Sequence, residues 1–270
     1  MTIGSTPEAP WQLRLYDKSL KKKLTVRALL KHLPDVAGKR CLEIGCATGV
    51  TSHFLRERDG WWTSGDFDRE QIRSASGLVS RTVHLGRTAL PFADASFDVV
   101  CGINFLEHLD DDAHWVREMA RVTRPGGELL FVAPSGEKNR PAFLGKRLLG
   151  LTAARAGLGH VRDGYPPDVA RRLFEANGWQ VLYMADYCRL FSEVLEDALN
   201  WAFRKKAASG AKGTQSFHGD TAPTSSGSLE RVGPAYRAYA RVYPLLRAWA
   251  SLDALIPFSR GYMTVVRARK

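Results

Sequence analysis

Residues 41–50 read CLEIGCATGV, an apolar run carrying one acid, Glu43, and leading into two glycines separated by Cys46, Ala47 and Thr48. Gly45 and Gly49 let backbone N–H groups approach a ligand with no side chain in the way. A helix beginning near Thr48 would point its positive end at the same place. The order of glycines is not the G-x-G-x-x-G of a dinucleotide site. Glu43 at the strand end would repel a phosphate and suit an ammonium group, so the turn reads as a cradle for a cationic ligand. Asp66 closes the next apolar run, where a carboxylate can accept hydrogen bonds from both hydroxyls of a ribose. Asp68 is a weaker substitute for it, and the competing reading of Asp66 is a helix cap.

These residues need a rigid frame, and the hydrophobic pattern supplies one. RCLEI, WWTSGDF, RTVHL, FDVVCGI and GELLFVA read as five strands, with helices over Thr48–Arg58, Arg69–Leu78 and Asp111–Val122 between them. The last of these must stop at Arg124-Pro125-Gly126-Gly127, since Pro and Gly do not continue a helix. The strands are continuous apolar runs, as expected of a parallel sheet covered on both faces. A helix over residues 17–33, with Asp17 as its cap candidate, precedes them. After residue 134 come a basic, Gly-interrupted stretch with a helical piece around Phe143–Ala156, a helix Pro166–Asn177 closed by Gly178, and the strand WQVLYMA. Phe191–Lys206 reads as helical, 207–228 as a mobile loop poor in apolar residues, Pro234–Leu255 as an amphipathic helix and GYMTVVRA as a last strand. The expected fold is thus α/β: a doubly wound, mostly parallel seven-stranded Rossmann-like sheet with helices on both faces. Helical insertions follow strand 5 and separate strands 6 and 7. The segments divide as a cofactor-binding core over 1–135, a cap with strand 6 over 136–189, a helical insertion over 190–260 and a final strand over 261–270 completing the same domain.

Hydrophobic residues make up 44% of the 270, enough for a substantial core, and no apolar stretch reaches the length of a membrane span. The first residues lack the apolar centre of a secretory signal. Cys41, Cys46, Cys101 and Cys188 form no CxxC pair and no metal-like spacing with the seven histidines, which reads as a reducing, cytoplasmic setting without bound metal. The net charge of +11 suits an anionic partner, whether nucleic acid or acidic lipid, or serves solubility alone. It is concentrated: residues 136–163 carry six Lys/Arg against two acids, and 232–270 seven against one.

Taken together, LEIGCATG, GDFDREQI, LPFADASFDVV, INFLEHL and EMARVTRPGGELLFVAPS, in this order over residues 38–135, resemble class I S-adenosylmethionine-dependent methyltransferases of the small-molecule branch. The segment GHVRDGYPPDVARRLFEANGWQV resembles the region after strand 5 in that family. The resemblance implies that Glu43, Gly45, Cys46, Ala47 and Gly49 cradle the methionine part of S-adenosylmethionine. By the same token Asp66 holds the ribose, Phe67 lies against the adenine, and Asn104 and Phe105 border the sulfonium. Two departures stand out. Ala47 replaces a usual glycine, and Leu85-Gly86-Arg87-Thr88 lacks the acid that commonly meets the adenine amino group, leaving backbone or Thr88 for that contact.

Methyl transfer from a sulfonium is mainly in-line positioning, and a general base assists when the acceptor is a hydroxyl. His108 is the first candidate, with a loop-holding role as its alternative; His160 and Tyr165 are candidates to face the acceptor. His32, His53, His84, His114 and His218 read as surface or packing residues. Tyr236, Tyr239, Tyr243, Leu246 and Trp249 fall near one helical face, with Arg237 and Arg241 on another. That face suits a membrane interface or lipid-like acceptor, or packing on the sheet edge or a twin subunit. The expectation is methyl transfer, at oxygen, to a small-molecule, lipid-linked or glycan-linked acceptor. Peripheral contact with the inner face of an anionic membrane would run through 136–163 and 234–258. A nucleic-acid methyltransferase and a non-catalytic S-adenosylmethionine-binding protein are the alternatives, the former lacking a flipped-base motif.

Overall fold

A computed structural model describes residues 9–140, 142–143, 160–195, 198 and 233–270. Seven strands form one sheet: β1 (Arg40–Ile44), β2 (Trp61–Asp66), β3 (Thr82–His84), β4 (Phe97–Ile103), β5 (Thr123–Pro134), β6 (Gln180–Tyr187) and β7 (Met263–Arg269). Their order is β3-β2-β1-β4-β5-β7-β6. The pairs through β5 are parallel, and β7 runs antiparallel between β5 and β6. The helices are α1 (Trp11–Asp17), α2 (Leu20–His32), α3 (Val50–Arg56), α4 (Arg69–Ser76), α5 (Asp112–Val122), α6 (Pro167–Glu175) and α7 (Gly233–Ser251).

The central strands divide their side chains between two cores, as pleating requires. Val100, Leu129 and Phe131 join Trp115, Val116 and Met119 of α5 and Phe174 of α6 on one face. Val99, Cys101, Leu130 and Val132 join Ala28 and Leu29 of α2 and Leu55 of α3 on the other. Every residue of β4 is buried, which explains its unbroken apolar sequence. The chain reverses direction across the sheet between β1 and β4, and the crevice at their carboxyl ends is where such a sheet receives a ligand.

Several local expectations change. Ser19, not Asp17, caps α2, its Oγ accepting from the Lys22 N–H. Asp17 ends the preceding short helix and pairs with Lys18 and Lys23. Thr123 turns the chain directly from α5 into β5, so Arg124-Pro125-Gly126-Gly127 lies within the irregular start of a strand. Of the two readings of the aromatic face of α7, the structure shows packing: Tyr243 is buried, Tyr239 donates to the Lys18 carbonyl, and Leu246 packs with Leu20, Leu195 and Ala250. The exposed apolar residues are Val242 and Leu245, with Trp249 half exposed at the margin. The basic stretch 136–163 is described only in part. The loop 207–228, His218 and most of the Phe143–Ala156 and Phe191–Lys206 pieces lie outside the described residues, as do the side chains of Tyr236 and Arg237. No helix among the described residues is long and apolar enough to cross a membrane.

Candidate active site

The glycine turn leaves β1 at Ile44 and is pressed against the end of β4. Gly45 has φ +87°, and a Cβ there would stand 2.2 Å from the Ile103 carbonyl oxygen, so only glycine fits. The N–H groups of Gly45 and Cys46 both donate to the Gly65 carbonyl. Gly49, also at φ +87°, lies against Ala75 of α4 and begins α3. Ala47 has φ 46°, a left-handed conformation that an alanine holds at some cost. That is the physical reason a glycine is the usual residue there.

The two acids hold this turn from below. Glu43 is fully buried, and its carboxylate accepts hydrogen bonds from Thr51, Ser52 and Ser64. Burial raises its pKa above the ordinary carboxylate value, opposed by those three hydroxyls and by Arg56. A side chain so enclosed braces the loop against α3 and β2. It does not present a charge to an ammonium, which corrects the expectation drawn from its place at the strand end. Asp66 is also buried; it accepts from the Ala47 N–H at 2.8 Å and from the Asp68 N–H at 3.0 Å. Asp68 is the residue that caps α4, bonding the Glu70 and Gln71 N–H groups. The capping reading of Asp66 therefore falls away, and its carboxylate lies directly beneath the turn.

Beyond β4, Asn104 adopts φ 46° and its N–H donates to the Val132 carbonyl. Its side-chain Oδ1 is buried with no hydrogen-bond partner, an acceptor ready for a donor on a ligand. Phe67 and Phe105 are both buried and stacked on each other at 6.0 Å, with Trp115 edge-on to Phe67. The Phe67 ring is thus occupied by protein, and its expected place against an adenine is not what the structure shows. Thr88 is exposed, its carbonyl bonded to His114 Nε2.

His108 ends a short 3-10 turn, Leu106–His108. The structure sets His160 beside it, with ring centroids 4.6 Å apart and planes perpendicular. Donor atoms of Glu107, His108 and His160 all lie within 4.8 Å of one another. Arg162 makes this meeting possible. Its guanidinium donates to the carbonyls of Leu106, Leu109 and Asp110, while the Val161 N–H donates to the Glu107 carbonyl. Neither Arg162 nor Glu107 stood out in the sequence; a lone Arg two residues past a His carries no periodic signal. Tyr165 does not face an acceptor. It is buried, its hydroxyl bonds Leu106, Asp112 and Arg162, and burial pushes its pKa far above the usual phenol range. It is a core strut, unsuited to act as a base.

A close-approach glycine and a buried, unpartnered acceptor at Asn104 fit the expected cofactor. Residues 42–131 match the methyltransferase domain family. The chain is 31% identical over 157 residues to a 27-O-demethylrifamycin SV methyltransferase of Amycolatopsis mediterranei, covering 51% of this chain and 58% of that protein. It is 35% identical over 107 residues to an O-methyltransferase of Aspergillus sclerotiorum, covering 36% and 40% respectively. The matches therefore span less than two thirds of these relatives' own lengths. An S-adenosylmethionine-dependent methyltransferase of Mesorhizobium loti shares the fold, with TM-score 0.56 and 15% identity over 94% of this chain and 99% of that one. The sheet order and the glycine turn at its switch point define a Rossmann-like domain. Residues 42–131 thus carry a methyltransferase domain, on a fold that the chain shares with S-adenosylmethionine-dependent methyltransferases.

Proposed function

We propose that the protein methylates an oxygen of a small-molecule acceptor, with a lipid-linked acceptor as the favoured refinement. The observation that carries it is the pairing of His108 with His160 just past β4, one short turn from Asn104 and the glycine loop. S-adenosylmethionine would supply the electrophilic methyl group, its bond to sulfur breaking with the electron pair returning to sulfur as the new bond to the acceptor oxygen forms. Gly45, Asn104 and Asp66 would hold it, and the backbone of the turn would set its direction. The histidine pair would face the acceptor hydroxyl and ease loss of its proton, which passes on to solvent. O-methyltransferases among the relatives support this reading. Incubation with labelled S-adenosylmethionine and a panel of phenolic and alcoholic acceptors tests it. Transfer to oxygen that falls sharply in His108→Ala is expected; transfer only to nitrogen or nucleic acid would sink it.

The lipid refinement draws on a second place in the fold. Leu245, Leu255 and Phe258 are 73%, 72% and 85% exposed beside the exposed Arg241, Arg247 and Arg260. Apolar side chains among arginines suit the surface of an anionic bilayer. Flotation with anionic vesicles should recover the wild type and lose Leu245→Asp/Phe258→Asp; equal recovery of both would remove the membrane from the proposal.

A further inference from the structure

The cluster at the end of β4 has the composition of a metal site. Two imidazoles and one carboxylate leave open positions on an ion, the donor set of many first-row transition-metal centres. We propose that Glu107, His108 and His160 bind one divalent transition-metal ion of the manganese-to-zinc series. The ion's use in catalysis rests on the methyl-transfer reading above; its binding does not.

The three donor atoms lie within 4.8 Å of one another. Ligands at about 2.1 Å from a shared ion stand roughly 3 to 4 Å apart, so side-chain rotation of about 1 Å closes the set. The backbone behind them is already held. The His160 segment is tied to the 106–110 turn through Val161 and through the three carbonyls bonded by Arg162. Ligand orientation of that kind is what a preformed site requires. Glu107 is 1% exposed and the two histidines are half-buried, so the site is open on the imidazole side. Imidazole donors favour the transition series over hard, oxygen-seeking ions such as calcium or magnesium.

With a single carboxylate the bound dication keeps a net positive charge, which suits an oxygen losing its proton. An acceptor hydroxyl on the ion becomes more acidic. Its proton would leave to bulk water, freeing the oxygen to attack the methyl carbon. The two imidazoles then act by holding the ion, and the general base becomes unnecessary.

Chelator-treated, full-length protein titrated with cobalt(II) alone tests the proposal. The expected result is one ion per chain with a visible ligand-field band, displaced by zinc(II). His160→Ala and His108→Ala should lose the band while keeping the wild-type thermal unfolding curve and calorimetric affinity for S-adenosylmethionine, which shows that they fold. No saturable cobalt binding in the wild type, or the same stoichiometry and spectrum in both variants, would overturn it. Full methyl transfer by the chelated protein would overturn the ion's use in catalysis while leaving the proposed function standing. Cobalt binding without methyl transfer to any oxygen acceptor would instead sink the proposed function alone.

Discussion

The two halves of the site are built by different means. The cofactor half is backbone: a turn pressed between β4 and α4, held from below by the buried carboxylates of Glu43 and Asp66. Most of its parts come from residues 43–66, with Asn104 after β4 added to them. The proposed acceptor half is side chains, two imidazoles that meet across more than fifty residues, where Arg162 and Val161 fasten one loop to another. A close-packed backbone cradle tolerates almost no change in volume, whereas a pair of side chains on a pinned loop can change without disturbing the fold. A common cofactor on one side and variable acceptors on the other are what such a division allows.

The comparison can be broken in order of expected effect. His108→Ala should lower kcat by about 100- to 10,000-fold with cofactor affinity unchanged by calorimetry; a matching loss of affinity would mean that the halves are not separable. Gly45→Ala should destabilise the fold by at least about 3 kcal/mol in urea unfolding, from backbone strain plus the clash with the Ile103 carbonyl. A midpoint within error of wild type would show that the turn is looser than its geometry. Arg162→Gln should cost about 1–3 kcal/mol and depress kcat while sparing cofactor affinity, because the carbonyls of Leu106, Leu109 and Asp110 lose their common donor. Unchanged turnover would show that His160 keeps its place without it.

The smallest effect concerns Glu43. Its folded pKa is raised above the ordinary value of 4.5 by burial, so the folded state holds the proton more tightly than the unfolded chain. Its contribution to stability is fully present below the unfolded value and is lost as pH rises through the raised folded one. Urea midpoints from pH 4 to pH 8 should therefore carry a downward component that Glu43→Gln removes. An identical pH profile in the variant would show that the buried carboxylate is not the source.

Much of the fold was legible because buried parallel strands are apolar along their whole length. RCLEI and FDVVCGI coincide with β1 and β4 residue for residue. Local pattern failed where two neighbours competed for one role. Asp66 and Asp68 are both acids before a helix, and only the structure shows that Asp68 caps α4 while Asp66 turns to the Ala47 N–H. Likewise the tyrosines of α7 have a spacing that fits a surface belt or a packed face, and only the structure shows Tyr243 buried beside Lys18 and Lys23. Helical spacing identifies a face; it does not say which neighbour covers it.

By itself the sequence determined the sheet and the glycine turn, since these depend on periodicity and on residues close together in the chain; the class of cofactor followed from the resemblance of its motifs to a known family. Tertiary structure alone decided that Glu43 faces inward, that Tyr165 is core, and that Glu107, His108 and His160 share one place. Those outcomes depend on contacts between distant segments. A guanidinium that gathers three carbonyls leaves no local pattern in the chain that carries it.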